Sequence, residues 1–407
     1  MIKHLLKMVW NRKRTNFFII LEIFISFLVL FAVIMSGVYY TDNYRQPLGF
    51  NYEQIWDVNI HQQGNNTRAD KSGPLVSAKQ VFLAVQEFDE VAGLAGIGHA
   101  PYGGSRSTGA VTVNGREILY GFNRATDSFK DVLGLEVRRG RWFSPEDDAA
   151  NYRPVVINQK FSREVFGDED PLGKLLGDSP PAPRRAPEGP REREMRVIGV
   201  ISDFRQHGEF AAPENFLFER QSVNLPQDRP PAELLIKVRP GTTAAFEEKL
   251  GRRLQTLAQD WSFEIEPLSN MRESSFKAHL APLLAAGLVA GFLIIMVALG
   301  LTGVLWQNVT QRTQEIGLRR AAGATTQKIH TQILGELLVI ASFGLLTGVL
   351  VIVQFPLLDL IGFISSKVYL YSLLLSLALI YLLTMICGLY PSRLATKVQP
   401  AEALHYE

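Results

Sequence analysis

The chain has 407 residues, 47% hydrophobic and 20% charged, with 42 basic against 40 acidic side chains for a formal charge of +2. That balance excludes a nucleic-acid-binding protein with a globally basic surface, and a single cysteine excludes an intramolecular disulfide and any Cys-rich zinc site. The mean hydropathy of +0.06 lies between soluble and membrane-embedded values, so the placement of the apolar residues decides the class.

Four apolar runs account for that average: residues 17–39, 280–306, 337–358 and 368–390. The last three contain no Asp, Glu, Lys or Arg, and the first contains only Glu22. About 20 apolar residues rising ~1.5 Å each cover a hydrocarbon core of roughly 30 Å, so each run is long enough to span a bilayer. The first run exceeds the apolar core of a signal peptide, and Ser36-Gly37-Val38-Tyr39-Tyr40 is not a small-x-small cleavage site. It reads as a retained anchor. Lys3, Lys7, Arg12, Lys13 and Arg14 precede it; Arg312, Arg319, Arg320 and Lys328 lie between the second and third runs; Arg393 and Lys397 follow the fourth. Basic residues on alternate sides imply cytoplasmic N- and C-termini.

That topology divides the chain into residues 1–40, an extracytoplasmic segment 41–279, and 280–407 with a cytoplasmic loop at 307–332. Within the large segment, residues 54–60 and 91–97 read as strands around a helix at 77–88. Residues 233–238 and 263–266 read as strands around a helix that carries Phe246, Leu250, Leu254 and Leu257. Two β-α-β patterns at the ends of the segment suggest one subdomain from 41–100 with 229–279, and a second, 101–228, inserted in it. Asn114-Gly115 marks a tight hairpin turn. Residues 178–193, with five prolines and no bulky apolar side chain, read as a mobile loop. The fold class is therefore a membrane protein with four transmembrane helices and a large α+β extracytoplasmic domain of two subdomains. The helix before the second span is expected to begin outside the membrane at the Ser269 cap, with Pro282 its one potential break.

Catalytic motifs are lacking. Gly167 to Lys174 has one residue too many for a phosphate-binding loop and Leu175 where a Mg²⁺-binding hydroxyl is needed. The seven histidines show no zinc spacing, and no G-x-S-x-G elbow occurs. Cys387 lies in an apolar run, as an inert thiol would. No covalent chemistry, metal or cofactor is expected in this chain. Gly287-x-x-x-Gly291 and Gly344-x-x-x-Gly348 are candidate close-packing sites, within the chain or between copies.

The loop after the second span reads Glu315-Ile316-Gly317-Leu318-Arg319-Arg320-Ala321-Ala322-Gly323-Ala324, and the chain ends with Tyr390-Pro391-Ser392-Arg393-Leu394-Ala395 and Pro400-Ala401-Glu402-Ala403-Leu404. These stretches resemble the signatures of FtsX/MacB-like ABC-transporter permeases. Residues 129–143, 154–175 and 196–204 (RVIGVISDF) resemble the MacB-type periplasmic core domain. The resemblance implies a permease of the bacterial inner membrane, dimeric with a second copy or paralogue, in contact with membrane lipid and not with nucleic acid. By it, Glu315, Ile316, Gly317, Arg319, Arg320 and Gly323 dock on an ATPase. The ATPase domain fused in macrolide exporters is not found in this sequence, so a separate ABC ATPase subunit would bind the ATP and Mg. Expected roles are efflux of an amphiphile or peptide, with a periplasmic adaptor and outer-membrane conduit, or lipoprotein extraction. The alternatives are control of cell-wall hydrolases and sensing of an external ligand.

Overall fold

The computed structural model describes residues 13–62, 78–177, 194–223, 231–311, 318, 325–358 and 364–397. The proline-rich stretch 178–193 lies outside them. The chain divides into two compact units, Asn43–Ala278 and a second formed by Met1–Asp42 with His279–Glu407.

The first apolar run forms α1 (Lys13–Tyr44), which continues five residues past the expected end at Tyr39. The α/β unit then follows in the order β1 (Ile55–Gln62), α2 (Ala78–Gln86), β2 (Val91–Ile97), β3 (Ser107–Val113), β4 (Arg116–Ala125), α3 (Phe129–Leu133) and β5 (Val137–Gly140). Next come β6 (Arg153–Asn158), α4 (Gln159–Phe166), β7 (Met195–Ile201), β8 (Phe216–Arg220), β9 (Glu233–Val238), α5 (Ala244–Leu257) and β10 (Trp261–Pro267). The ten strands among the described residues join one sheet in the order β10-β1-β9-β2-β4-β8-β6-β7-β5, with β3 paired to β4.

Strands from the two ends of the segment interleave: β9 lies between β1 and β2, antiparallel to both. Period-two alternation sends Trp56, Val58 and Ile60 of β1, with Leu234 and Ile236 of β9, to one face, where α2 (Val81, Val85) and α5 (Phe246, Leu250, Leu254) cover them. The opposite face contributes Ile55, Ala95, Ile97 and Leu235 to an aromatic core that holds Phe129, Trp142, Phe204, Phe216 and Phe218.

The remaining strands extend the sheet through β4, whose backbone register with β2 is the single pair Ile97↔Ala125. Asn123 reinforces that narrow seam. Its Oδ1 accepts from the N–H groups of Gly98 and His99 at 3.1 Å, and its Nδ2 donates to the His99 carbonyl at 2.7 Å. The β3–β4 turn falls at Asn114-Gly115, with φ of 52° and 76°, the left-handed pair a two-residue hairpin needs.

After β10, α6 (Leu268–Gln311) is an unbroken 44-residue helix that contains Pro282; its residues to Ala278 belong to the α/β unit and those from His279 to the other unit. It is followed by α7 (Thr326–Ile352), α8 (Gln354–Leu357) and α9 (Ser366–Lys397). Among the described residues, four helical stretches, Phe17–Tyr44, Leu268–Gly303, Thr326–Leu357 and Ser366–Leu389, are long and apolar enough to cross a membrane. Their shared core includes Ile23, Phe27, Ile340, Leu345 and Ile380. Buried hydroxyls return their hydrogen bonds to the preceding helical turn, Ser372 to Val368 at 2.7 Å, Ser376 to Ser372 at 2.6 Å and Thr384 to Ile380 at 2.8 Å. Each of these three donors is thereby compensated in its apolar setting, whereas Ser26 Oγ of α1, 2% exposed, has no hydrogen-bond partner among the described residues.

Candidate functional site

The residues assigned to ATPase docking, Glu315, Ile316, Gly317, Arg319, Arg320 and Gly323, lie outside the described residues. Leu318, between them, is described and 62% exposed. The flanks are defined: α6 ends at Gln311, and Thr325 is the N-cap of α7 in extended conformation, without a capping bond from its side chain.

The two glycine pairs differ. A Cβ on Gly344 would lie 2.9 Å from the Ile20 carbonyl oxygen, and one on Gly348 would lie 2.4 Å from Phe27 Cδ1, so both glycines serve the contact of α7 with α1. Among the described residues, Gly287 and Gly291 have no neighbour within 4 Å of a built Cβ. Two contacts escaped the sequence reading because they lack the paired spacing. Gly300 faces the Glu22 carboxylate, 2.6 Å from a built Cβ, and Gly388 faces Leu334 at 2.5 Å.

Between β7 and β8, Arg205 is 1% exposed. Its Nη1 donates to the carbonyls of Asn43 at 2.8 Å and Gln46 at 3.0 Å, its Nη2 to Ala211 at 2.6 Å and to Glu209, and its Nε to Ala211 at 3.2 Å. Asn43 returns a bond from Nδ2 to the Phe210 carbonyl at 3.1 Å. On the first turns of α6, Arg272 Nε donates to Glu209 Oε1 at 2.5 Å, and its guanidinium lies 4.7 Å from the Tyr52 ring centroid. Phe210 packs on Phe276 at 4.6 Å and on Tyr44 at 6.1 Å between centroids. Sequence reasoning missed this cluster: Arg205 follows an apolar strand and opens a polar stretch, the pattern of a solvated residue.

A second buried polar group is Asp57 on β1, 4% exposed, with Oδ1 lacking a hydrogen-bond partner among the described residues. Burial, then the carboxylates of Glu233, Glu266 and Glu264, push its carboxyl up to about 9. Burial also raises Glu233, which accepts from the Ala100 N–H at 2.5 Å. Among the described residues no three His, Cys, Asp or Glu side chains are grouped to hold a metal ion. The Asp57 site can hold a proton.

The sequence matches the MacB-like periplasmic core domain over residues 20–253 and the FtsX-like permease C-terminal domain over residues 287–400. The chain belongs to the MacB/FtsX-like family of ABC-transporter permeases. It is 27% identical over 281 residues to the macrolide export ATP-binding/permease protein MacB of Bdellovibrio bacteriovorus, a match covering 66% of this chain and 41% of that protein. It is 25% identical over 297 residues to the uncharacterized ABC transporter permease YknZ of Bacillus subtilis, covering 70% of each. The crystal structure of the periplasmic region of MacB from Actinobacillus actinomycetemcomitans aligns with a TM-score of 0.37 and 17% identity, over 55% of this chain and 93% of that one. For this permease, the matched domains correspond to the two parts its sequence separates, an α/β segment and a set of apolar helices.

Proposed function

We propose that this permease is the force-transmitting subunit of an ABC transporter of the bacterial inner membrane, with both termini cytoplasmic. It works as a dimer with a second copy or paralogue. A separate ATPase subunit binds the ATP and Mg and docks on the loop around Glu315, Gly317, Arg319, Arg320 and Gly323. The observation that carries this reading is α6. One helix without a break at Pro282 starts directly after β10 of the α/β unit and ends at Gln311, beside the docking motif. A continuous helix moves as a rigid element, so displacement at one end is delivered to the other.

The output acts outside the cytoplasm, in efflux of an amphiphile or peptide through an adaptor and outer-membrane conduit, or in lipoprotein extraction. The apolar faces of the helices meet membrane lipid: Leu288, Phe292 and Leu299 of α6 are strongly exposed.

Affinity purification under mild extraction tests the partnership. An ABC ATPase should co-purify, and replacing Glu315 or Arg319 should release it while insertion and folding persist. Retention of full ATPase association and stimulation in both variants would remove the docking role. Purification of the intact permease without any ATPase would favour a sensor.

A further inference from the structure

We propose that the segment 204–211 is the joint through which movement of α1 and α6 enters the α/β unit. Arg205 and the Arg272–Glu209 pair are its positioning residues. This rests on the transmission reading above and names the place where transmission occurs.

The chain connects the two helices to one end of the sheet: α1 leads to β1, and α6 follows β10 directly. By connectivity alone, movement would reach β1 and β10 and would then have to cross the sheet to reach its other half. Segment 204–211 belongs to that other half, since it follows β7 and precedes β8. It is nevertheless bonded to both helices. Arg205 takes the carbonyls of Asn43, at the end of α1, and of Gln46 just beyond; the Asn43 carbonyl also accepts from the Gln46 N–H at 3.0 Å. Glu209 takes Arg272 of α6, and Phe210 is enclosed by Tyr44 and Phe276, one ring from each helix.

The chemistry makes this attachment stiff. A guanidinium removed from water is costly unless its donors are satisfied, and here main-chain carbonyls from both sides satisfy it. Separating Asn43 from Ala211 would strand a buried charge, so the two move together. The segment itself is held in shape by Gly208, at φ +84°, where a built Cβ would lie 2.7 Å from the Tyr102 ring. From the joint, Phe204 leads straight into the aromatic core, with centroids 5.0 Å from Phe216 and Phe218 of β8. Two routes therefore leave the helices: a covalent one into β1 and β10, and a non-covalent one through 204–211 into β8 and its neighbours.

Hydrogen–deuterium exchange on the full-length permease with its co-purified ATPase separates the routes, comparing nucleotide-free complex with complex trapped by ATP and vanadate. Wild type should change exchange in both halves of the sheet on trapping. Arg272→Gln, Glu209→Gln and Arg205→Met should keep the change in β1 and β10 and lose it in β6 and β8. The charge swap of Arg272→Glu with Glu209→Arg should restore it, a recovery that a merely structural defect would not give. A trapped-state change in β6 and β8 that persists in all three single variants overturns the joint. So does a swap with wild-type basal exchange and no restored response. If Arg205→Met does not fold, the Arg272 and Glu209 variants decide. Absence of any change in wild type, in either half, instead removes the transmission reading itself and the joint with it.

Discussion

The ring of Phe27 in α1 occupies the space that a side chain at position 348 of α7 would need, since a Cβ there would meet Phe27 Cδ1 at 2.4 Å. Gly348→Leu should therefore push α7 from α1 and cost about 1–3 kcal/mol, as overpacking does. Gly287→Leu, with open space around it, should leave thermal unfolding of the detergent-solubilised monomer unchanged. Melting curves of the two variants make the comparison, and equal losses would contradict it.

Asp57 predicts an unusual pH profile. Its folded-state carboxyl is raised to about 9, while an unfolded aspartate titrates near ~3.9. Between those values the folded state holds a proton that the unfolded state has released. Its contribution to stability is therefore complete below the lower value and lost as pH rises through the upper one. Asp57→Asn should flatten that slope and raise stability at pH 8 by on the order of a few kcal/mol. Thermal unfolding from pH 5 to 9 measures both effects; an unchanged slope would show that Asp57 is ionised in the fold.

Arg141 and Asp147 make the opposite case. Two bonds of 2.7 and 2.5 Å join them, and Asp147 also accepts from the Ser144 N–H at 3.0 Å. Burial acts to raise the Asp147 carboxyl, but these bonds outweigh it and hold it below the ordinary value. Its stabilisation is present above the unfolded pKa and is lost as pH falls through the depressed folded one. Asp147→Asn should cost about 1–3 kcal/mol at neutral pH, given that Arg141 is half exposed, and the deficit should vanish in strong acid. Denaturant titrations at neutral and acid pH provide the measurement.

Asn123 ties β4 to the loop after β2 where the ladder between the strands is one residue pair long. Asn123→Ala leaves the N–H groups of Gly98 and His99 and the His99 carbonyl without these bonds. A loss of about 2 kcal/mol or more is expected, with faster amide exchange at residues 97–100 than in β1. Uniform exchange across the sheet would contradict a local seam.

Legibility in the sequence followed the range of the interactions. The limits of β2 and β9 coincide with the runs 91–97 and 233–238, since alternation and flanking turn residues are local signals. The Asn114-Gly115 hairpin was legible for the same reason. Placement of β9 between β1 and β2 was not, because strand order depends on hydrogen bonds between residues about 180 positions apart in sequence. The glycine motifs marked four positions without telling which had a partner in the chain; only the packing of α7 on α1 separates Gly344 and Gly348 from Gly287 and Gly291. The docking residues came from resemblance, and the described residues include only Leu318 of that motif.

By itself the sequence determined that four apolar runs, charged only at Glu22, are long enough to cross a bilayer, and its motifs placed the chain among ABC permeases. The tertiary structure alone decided what the charges between those runs do. Arg205, Arg272 and Glu209 read as ordinary surface residues in a polar stretch, and folding brings them together from segments up to 67 residues apart. The partners of Arg205 are main-chain carbonyls, which every residue carries, so no pattern of side chains could have announced them, and Arg272 meets Glu209 only across 63 positions of sequence.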